Sequence, residues 1–210
     1  PAILPASAVA ATIELEKATN IRGKIMHSLK YRIRKNSPWA LLYIWMAYPL
    51  SVLATPQVTD IYNFYPMPAN LGTSGQPTPE QFAAIKAAGF DTVINLAMPT
   101  SENALPDEGR LVAEQGMTYV HIPVPWEAPS ETHLQQFFGV VDTMITQGQK
   151  VWIHCAANYR ASAFTYRYLT QQQGLPPAEA STPLLQLWLP QMDENWRRIY
   201  DGPSAQGSQP

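Results

Sequence analysis

Residues 55–202 predict a single α/β domain: a mainly parallel central sheet flanked by helices. Three observations carry this. Short β-branched or apolar runs alternate with helical segments, the pattern of βαβ units. Glycines stand where each helix should stop. The most apolar short run, Val151-Trp152-Ile153-His154, has no polar alternation, as expected of a strand buried on both faces.

The elements follow in order. Ile61–Tyr65 reads as a first strand, and Asn70–Pro77 as a turn-rich loop. Thr78-Pro79-Glu80-Gln81 predicts a helix start, with Thr78 as N-cap, Pro79 in the first turn and Gln81 closing a capping box; Gly89 stops the helix. Thr92–Leu96 is a buried strand, Asp107–Gln115 a helix ended by Gly116, and Tyr119–Val124 a strand whose pairing Pro123 limits. Ser130 caps a helix with Leu134, Phe138, Val141 and Ile145 on one face, ended by Gly148. After the strand at 151–154, a helix runs from Arg160 to Gln173. A last helical region opens at Pro176-Pro177 and carries Leu185, Trp188, Leu189 and Trp196 as core.

Composition bounds the function. The chain has 210 residues and a formal charge of −2, but the charge is uneven. Residues 1–54 hold seven Lys/Arg against two Asp/Glu, and the remainder seven against fourteen. An acidic body offers no basic face to a phosphate backbone, so nucleic acid is not an expected partner. The single cysteine, Cys155, excludes an internal disulfide framework and a multi-cysteine zinc site. His121 and His133 lack ligand spacing, and no metal or other cofactor is expected.

Residues 1–54 read as a targeting region. Lys30, Arg32, Arg34 and Lys35 precede sixteen uncharged residues at 39–54, with small Val52 and Ala54 just before Thr55. That order is the basic, apolar and small-x-small plan of a bacterial signal peptide. The run is short of the ~20 residues a spanning helix needs. The expectation is export, to the periplasm, with no stable membrane contact after cleavage and an anchored form if the segment is retained. Residues 203–210 read as a disordered tail.

The chemistry concentrates at His154-Cys155-Ala156-Ala157-Asn158-Tyr159-Arg160-Ala161-Ser162. A buried strand ends in His-Cys, and four residues later Arg160 opens a helix. Loop N–H groups and a helix N-terminus make an anion site, and the same field stabilises a thiolate at Cys155. Arg160 offers a bidentate fork to an oxyanion. A thiolate facing a bound phosphoryl group is set for covalent catalysis. Candidate substrate contacts are Ala156, Ala157, Asn158, Tyr159 and Ser162, with His154 in support. Asn158 suits a left-handed turn. Ser162 is a candidate hydrogen-bond partner of the thiol. Tyr159 and Trp126 could face an aromatic substrate. Of the acids between the 119–124 strand and the next helix, Glu127 is the candidate general acid, while the macrodipole suffices to explain Glu131.

These residues resemble the cysteine-dependent tyrosine and dual-specificity phosphatases. They most resemble the small bacterial phosphatase-like family associated with β-lactamase-hydrolase-like proteins. Asn70-Leu71-Gly72-Thr73-Ser74-Gly75-Gln76-Pro77-Thr78 resembles that family's entry motif, and Val93-Ile94-Asn95-Leu96 its strand signature. The resemblance implies hydrolysis of a phosphomonoester, from a small molecule or a protein. Cys155 would be the nucleophile and Arg160 the phosphate clamp, through a phosphocysteine intermediate. It also suggests that Ser74 and Gln76 shape the pocket edge. The usual signature has five residues between Cys and Arg, and this chain has four. Its six-residue loop also resembles that of rhodanese-like sulfurtransferases. Two alternatives therefore stay open: an anion-binding pseudophosphatase, and sulfur transfer at Cys155.

Overall fold

The computed structural model describes residues 57–202. The targeting region expected at 1–54, with its apolar run at 39–54, and the tail at 203–210 lie outside the described residues. Five strands form one sheet: β1 (Tyr65–Met67), β2 (Leu71–Ser74), β3 (Thr92–Asn95), β4 (Thr118–His121) and β5 (Val151–His154), in the order β1-β2-β5-β3-β4. Only the β1–β2 pair is antiparallel. Among the described residues seven α-helices accompany the sheet: α1 (Gln81–Ala87), α2 (Glu108–Glu114), α3 (Glu131–Thr146), α4 (Tyr159–Gln171), α5 (Pro177–Ala180), α6 (Pro183–Trp188) and α7 (Glu194–Asp201). Among the described residues no helix is long and apolar enough to cross a membrane.

Two cores form because strand side chains alternate between faces. Ile94, Val151 and Ile153 join Leu134, Phe137, Phe138 and Val141 of α3, Phe164 of α4, and Leu185, Trp188 and Trp196 from the last helices. Val93 and Trp152 join Phe82 and Ile85 of α1 and Val112 of α2 on the opposite face. Both faces of the central strands are therefore covered, which is why they read as unbroken apolar runs.

Two expectations need correction. The run Ile61–Tyr65 is not a strand. Asn63 takes φ 51°, which breaks extension, while Phe64 stacks on Trp152 at 4.9 Å and Ile61 is buried in the same cluster. The strand begins only at Tyr65. Residues 71–74, expected within a loop, form the fully buried strand β2, paired on one side with β1 and on the other with β5. Its small residues suggest a turn in isolation. In the fold they admit close neighbours: a Cβ on Gly72 would lie 2.9 Å from Cζ of Phe90, itself edge-on to Trp152.

The helix expected from Thr78 is regular from Gln81 onward. Its Gln81 side chain still accepts the Thr78 N–H at 2.9 Å, half of the capping box. Ser130 caps α3 by accepting the His133 N–H. The last helical region divides into three helices and a 3₁₀ turn.

The parallel register decides where chemistry can occur. Ser74, His154, Asn95 and His121 pair across the carboxyl ends of β2, β5, β3 and β4. Loops leaving these ends share one rim of the sheet, where such folds place ligands.

Candidate active site

Cys155 follows β5 directly and is 1% exposed. Its backbone N–H donates to the Ser74 carbonyl at 3.3 Å. Beyond it the loop is held from outside. The Ala156 carbonyl accepts from the Gln76 N–H at 3.2 Å and from Nδ2 of Asn103 at 2.9 Å, and the Ala157 carbonyl accepts from Nδ2 of Asn63 at 3.1 Å. The peptide plane is rigid and its N–H opposes its C=O, so tying the Ala156 carbonyl outward aims the Ala157 N–H the other way. Gly75 allows the approach of this second wall. A Cβ there would meet Tyr62 at 2.6 Å and the Ala156 carbonyl at 3.2 Å.

Asn158 makes the turn into α4 with φ 75° and is fully buried. Nδ2 donates to the Asn63 carbonyl at 2.6 Å and to Oγ1 of Thr73 at 3.2 Å. Its Oδ1 accepts from Oγ of Ser162, which in turn accepts from Oγ1 of Thr182 at 2.9 Å. The hydroxyl of Ser162 is thus turned to Asn158 and Thr182 in place of the thiol, and its buried position staples the turn. The side chain of Asn158 is spent in the same way.

α4 starts at Tyr159, so its first-turn N–H groups have no intrahelical partner and face the loop end. Arg160 is 8% exposed. Its Nε donates to the Val124 carbonyl at 2.9 Å, and the guanidinium lies 5.3 Å from the Trp126 ring. Its two terminal nitrogens make no hydrogen bond among the described residues, which leaves a two-pronged donor for an oxyanion. Tyr159, Trp126, Trp188 and Trp196 pack edge-to-face or tilted with centroids 5.1–6.3 Å apart.

That aromatic group anchors the segment bearing Glu127. Nε1 of Trp196 donates to the Trp126 carbonyl at 2.9 Å, and Nδ2 of Asn195 to the Glu127 carbonyl at 3.0 Å. The Glu127 side chain is exposed and has no hydrogen-bond partner among the described residues. The backbone contacts therefore bring its segment alongside Arg160, while its carboxyl is free to turn.

Sequence reasoning missed two contributors. One is Asn103, from the loop after β3, which grips Ala156. The other is Glu108, 2% exposed at the start of α2. Oε2 of Glu108 accepts from Nε2 of Gln76 and Nδ2 of Asn95, each at 3.0 Å, and Oε1 lies 2.6 Å from Nε2 of His154. Glu108 stands four residues before buried Val112, on the apolar face of a short helix. A carboxylate there was the available signal. Nearby, Asn95 also donates to the Tyr119 hydroxyl at 3.2 Å. Burial, then the charge of Glu108, push the Tyr119 phenol up to about 12, against the Asn95 hydrogen bond. Among the described residues no group of three or more His, Cys, Asp or Glu could hold a metal ion.

A family model described as polymorphic toxin system, DSP-PTPase phosphatase, matches residues 69–172. A phosphatase of family DUF442 from Shewanella putrefaciens CN-32 is similar, at 37% identity and TM-score 0.62, over 69% of this chain and 92% of that one. Tk-PTP in its active form is 21% identical, with TM-score 0.50, over 62% and 88% of the two chains. Kinase-associated phosphatase, with its catalytic-site cysteine substituted by serine, is 13% identical, with TM-score 0.55, over 67% and 93%. The last two show a shared fold alone. No curated protein matches the chain. With a buried cysteine and arginine framing a strand-to-helix loop, and that degree of identity over nearly the whole Shewanella protein, the chain belongs to the DUF442 family of cysteine-based phosphatases.

Proposed function

We propose that the protein hydrolyses aryl phosphomonoesters of the phosphotyrosine kind, with Cys155, Arg160 and Glu127 as its catalytic residues. One observation carries the assignment. Buried Cys155 and Arg160 close a six-residue loop whose outer carbonyls are tied down and whose arginine keeps its terminal nitrogens unspent.

The reaction runs in two displacements. The Cys155 thiolate attacks phosphorus, forming the P–S bond as the bond to the leaving oxygen breaks. Glu127 gives that oxygen its proton. Water then attacks phosphorus, its proton passes to the Glu127 carboxylate, and the P–S bond breaks to return thiolate and free phosphate. Arg160 and the inward N–H groups hold the equatorial oxygens throughout. Half-buried Trp126 and Tyr159 support an aromatic leaving group.

The test varies the leaving group. Glu127→Gln in the full chain is expected to lower kcat/KM on phenyl phosphate, a quantity set by the first displacement and not by the shared hydrolysis step, on the order of 10²-fold. The loss on p-nitrophenyl phosphate should be far smaller, because nitrophenolate leaves without a proton. Equal losses on both would remove Glu127 from the acid role. Two other readings separate in the same assay. Vanadate binding without turnover would indicate a pseudophosphatase, and thiocyanate formation from thiosulfate and cyanide a sulfurtransferase; either would overturn the proposal.

The basic cluster at 30–35 and the uncharged run at 39–54 support an exported enzyme. Mass spectrometry of the protein recovered from its source organism should find a mature amino terminus at Thr55. An intact terminus in a cytoplasmic fraction would count against export.

A further inference from the structure

A cavity of about 400 Å³ lies at the carboxyl ends of β3 and β4, and neither Cys155 nor Arg160 lines it. That volume falls within the roughly 300–1,000 Å³ of small-molecule sites, and the place is one where parallel sheets take ligands. Part of the lining is apolar: Met98, Pro99, Leu105 and Pro106, all from the connection between β3 and α2. Tyr119 and His121 of β4 add two rings, two residues apart and so on one face of the strand, with centroids 6.2 Å apart. Gly109 of α2 rests against the Tyr119 ring, where a Cβ would come within 3.1 Å, so this side is preformed. Asn95 and Glu108 are the most deeply buried of the lining residues, at 5% and 2% exposure.

The hydrogen bonds already made decide which ligand groups are wanted. Asn95 is spent: Oδ1 accepts the Ala97 N–H at 2.7 Å, and Nδ2 donates to Glu108 and to the Tyr119 hydroxyl. Nε2 of His121 lies 2.8 Å from the Ala97 carbonyl, which can only accept, so Nε2 holds a proton. In the neutral ring Nδ1 is then an acceptor, without a partner among the described residues. The Tyr119 oxygen accepts from Asn95 and keeps a second lone pair. Of these polar side chains only the Tyr119 hydroxyl proton is left to donate. Glu108 adds negative charge, and its field reaches the cavity: burial first, then that carboxylate, push the Tyr119 phenol up to about 12, against the Asn95 hydrogen bond. Surplus acceptors, negative charge and an apolar side together call for a flat apolar body with N–H donors and a positive charge.

We infer that this cavity binds a small planar organic cation, an amidinium or a protonated aromatic amine, which donates to Nδ1 of His121 and the Tyr119 oxygen and lays its ring against Met98 and Leu105. The site is separate from the anion loop but shares one strap with it. The connection after β3 turns twice, the Ser101 N–H donating to the Met98 carbonyl and the Ala104 N–H to the Ser101 carbonyl, each at 2.9 Å. Between its cavity-lining residues it presents Asn103, whose Nδ2 holds the Ala156 carbonyl at 2.9 Å. A cation seated on Met98 and Leu105 fixes the strap that carries Asn103, and so bears on the Ala156–Ala157 peptide of the signature loop. Coupling of this kind is a free energy shared by two sites. The inference goes beyond the phosphatase reading and does not require Cys155 to be a nucleophile.

Benzamidine is the probe, titrated into the isotopically labelled full chain at mildly alkaline pH and followed by amide NMR. It should shift the Gly109, Tyr119 and His121 signals saturably, with Kd on the order of 1 mM. Benzamide, of the same shape without the charge, should bind about tenfold more weakly or worse, and benzoate should leave these signals still. Tyr119→Phe and His121→Phe should each weaken benzamidine roughly three- to tenfold. Asn103→Ala should keep the benzamidine affinity. In the unaltered chain benzamidine should also move the Ala157 N–H signal, and Asn103→Ala should abolish that movement. Absence of saturable shifts at 109, 119 and 121, or equal affinity for benzamide, would overturn the site. An Ala157 signal that stays still in the unaltered chain, or still moves in Asn103→Ala, would overturn the coupling. Should the ring variants not fold, the benzamidine–benzamide comparison in the unaltered chain decides. No step requires turnover, so the outcome is independent of whether the chain proves to be a phosphatase.

Discussion

Cys155→Ser in the full chain is expected to lower p-nitrophenyl phosphate turnover by about 10⁴-fold or more, while leaving the thermal unfolding midpoint nearly unchanged. Serine differs from cysteine by one atom, and Cys155 is packed at 1% exposure with, among the described residues, only its backbone N–H bonded, to Ser74. The fold has little reason to respond. The chemistry does: an alcohol at neutral pH offers almost no anion to attack phosphorus, and removing a nucleophile costs on the order of 10⁴–10⁶ elsewhere. The anion site does not depend on the sulfur, so vanadate should still bind the serine variant. Acid-quenched enzyme should carry phosphate on Cys155 in the unaltered chain and none in the variant. Turnover within tenfold of the parent would exclude a phosphocysteine route.

Arg160→Lys should be the next most damaging change, lowering kcat/KM on the order of 10²–10³-fold. Nε is already committed to the Val124 carbonyl at 2.9 Å, and the guanidinium plane rests 5.3 Å from Trp126. Only the two terminal nitrogens are left for phosphate. Lysine keeps the charge but supplies a single point donor, loses the Val124 bond and loses the planar contact. One charge-assisted hydrogen bond is worth about 1.5–3 kcal/mol, and each 1.4 kcal/mol is about tenfold in rate. The loss should appear in kcat as well as KM, because the phosphoryl oxygens gain charge in the transition state. Steady-state kinetics on p-nitrophenyl phosphate checks this, with thermal unfolding as the control. A lysine variant within threefold of the parent would show that Arg160 does not clamp the phosphate.

The four-residue spacing between Cys155 and Arg160 acquires a physical account from the loop's supports. Asn158 turns the chain at φ 75° using an amide that Asn63, Thr73 and Ser162 hold on three sides. A residue fewer in the loop is compensated by anchoring from the segment after β2, through the Gln76 N–H, and from the loop after β3, through Asn103. The ring is tight, and its outer wall is built from segments far away in the chain.

What the sequence alone determined is what depends on near neighbours. The strand at 151–154 is legible because an unbroken apolar run has no other stable home. Helix starts and stops at Ser130, Gly89, Gly116 and Gly148 are legible because caps act within one turn. Cys155 and Arg160 are legible because strand, loop and helix lie consecutively. Tertiary structure alone decided the rest. Residues 71–74 become a strand only because β1 and β5 flank them, which no local pattern of Leu-Gly-Thr-Ser can announce. The Ser162 hydroxyl turns from the thiol because Thr182 reaches it from twenty residues on. Glu108 meets His154 across 46 residues because the sheet order sets β5 between β2 and β3, bringing Gln76, Asn95 and His154 to one rim. A buried charge is stable only where all its partners converge, and that convergence belongs to the topology.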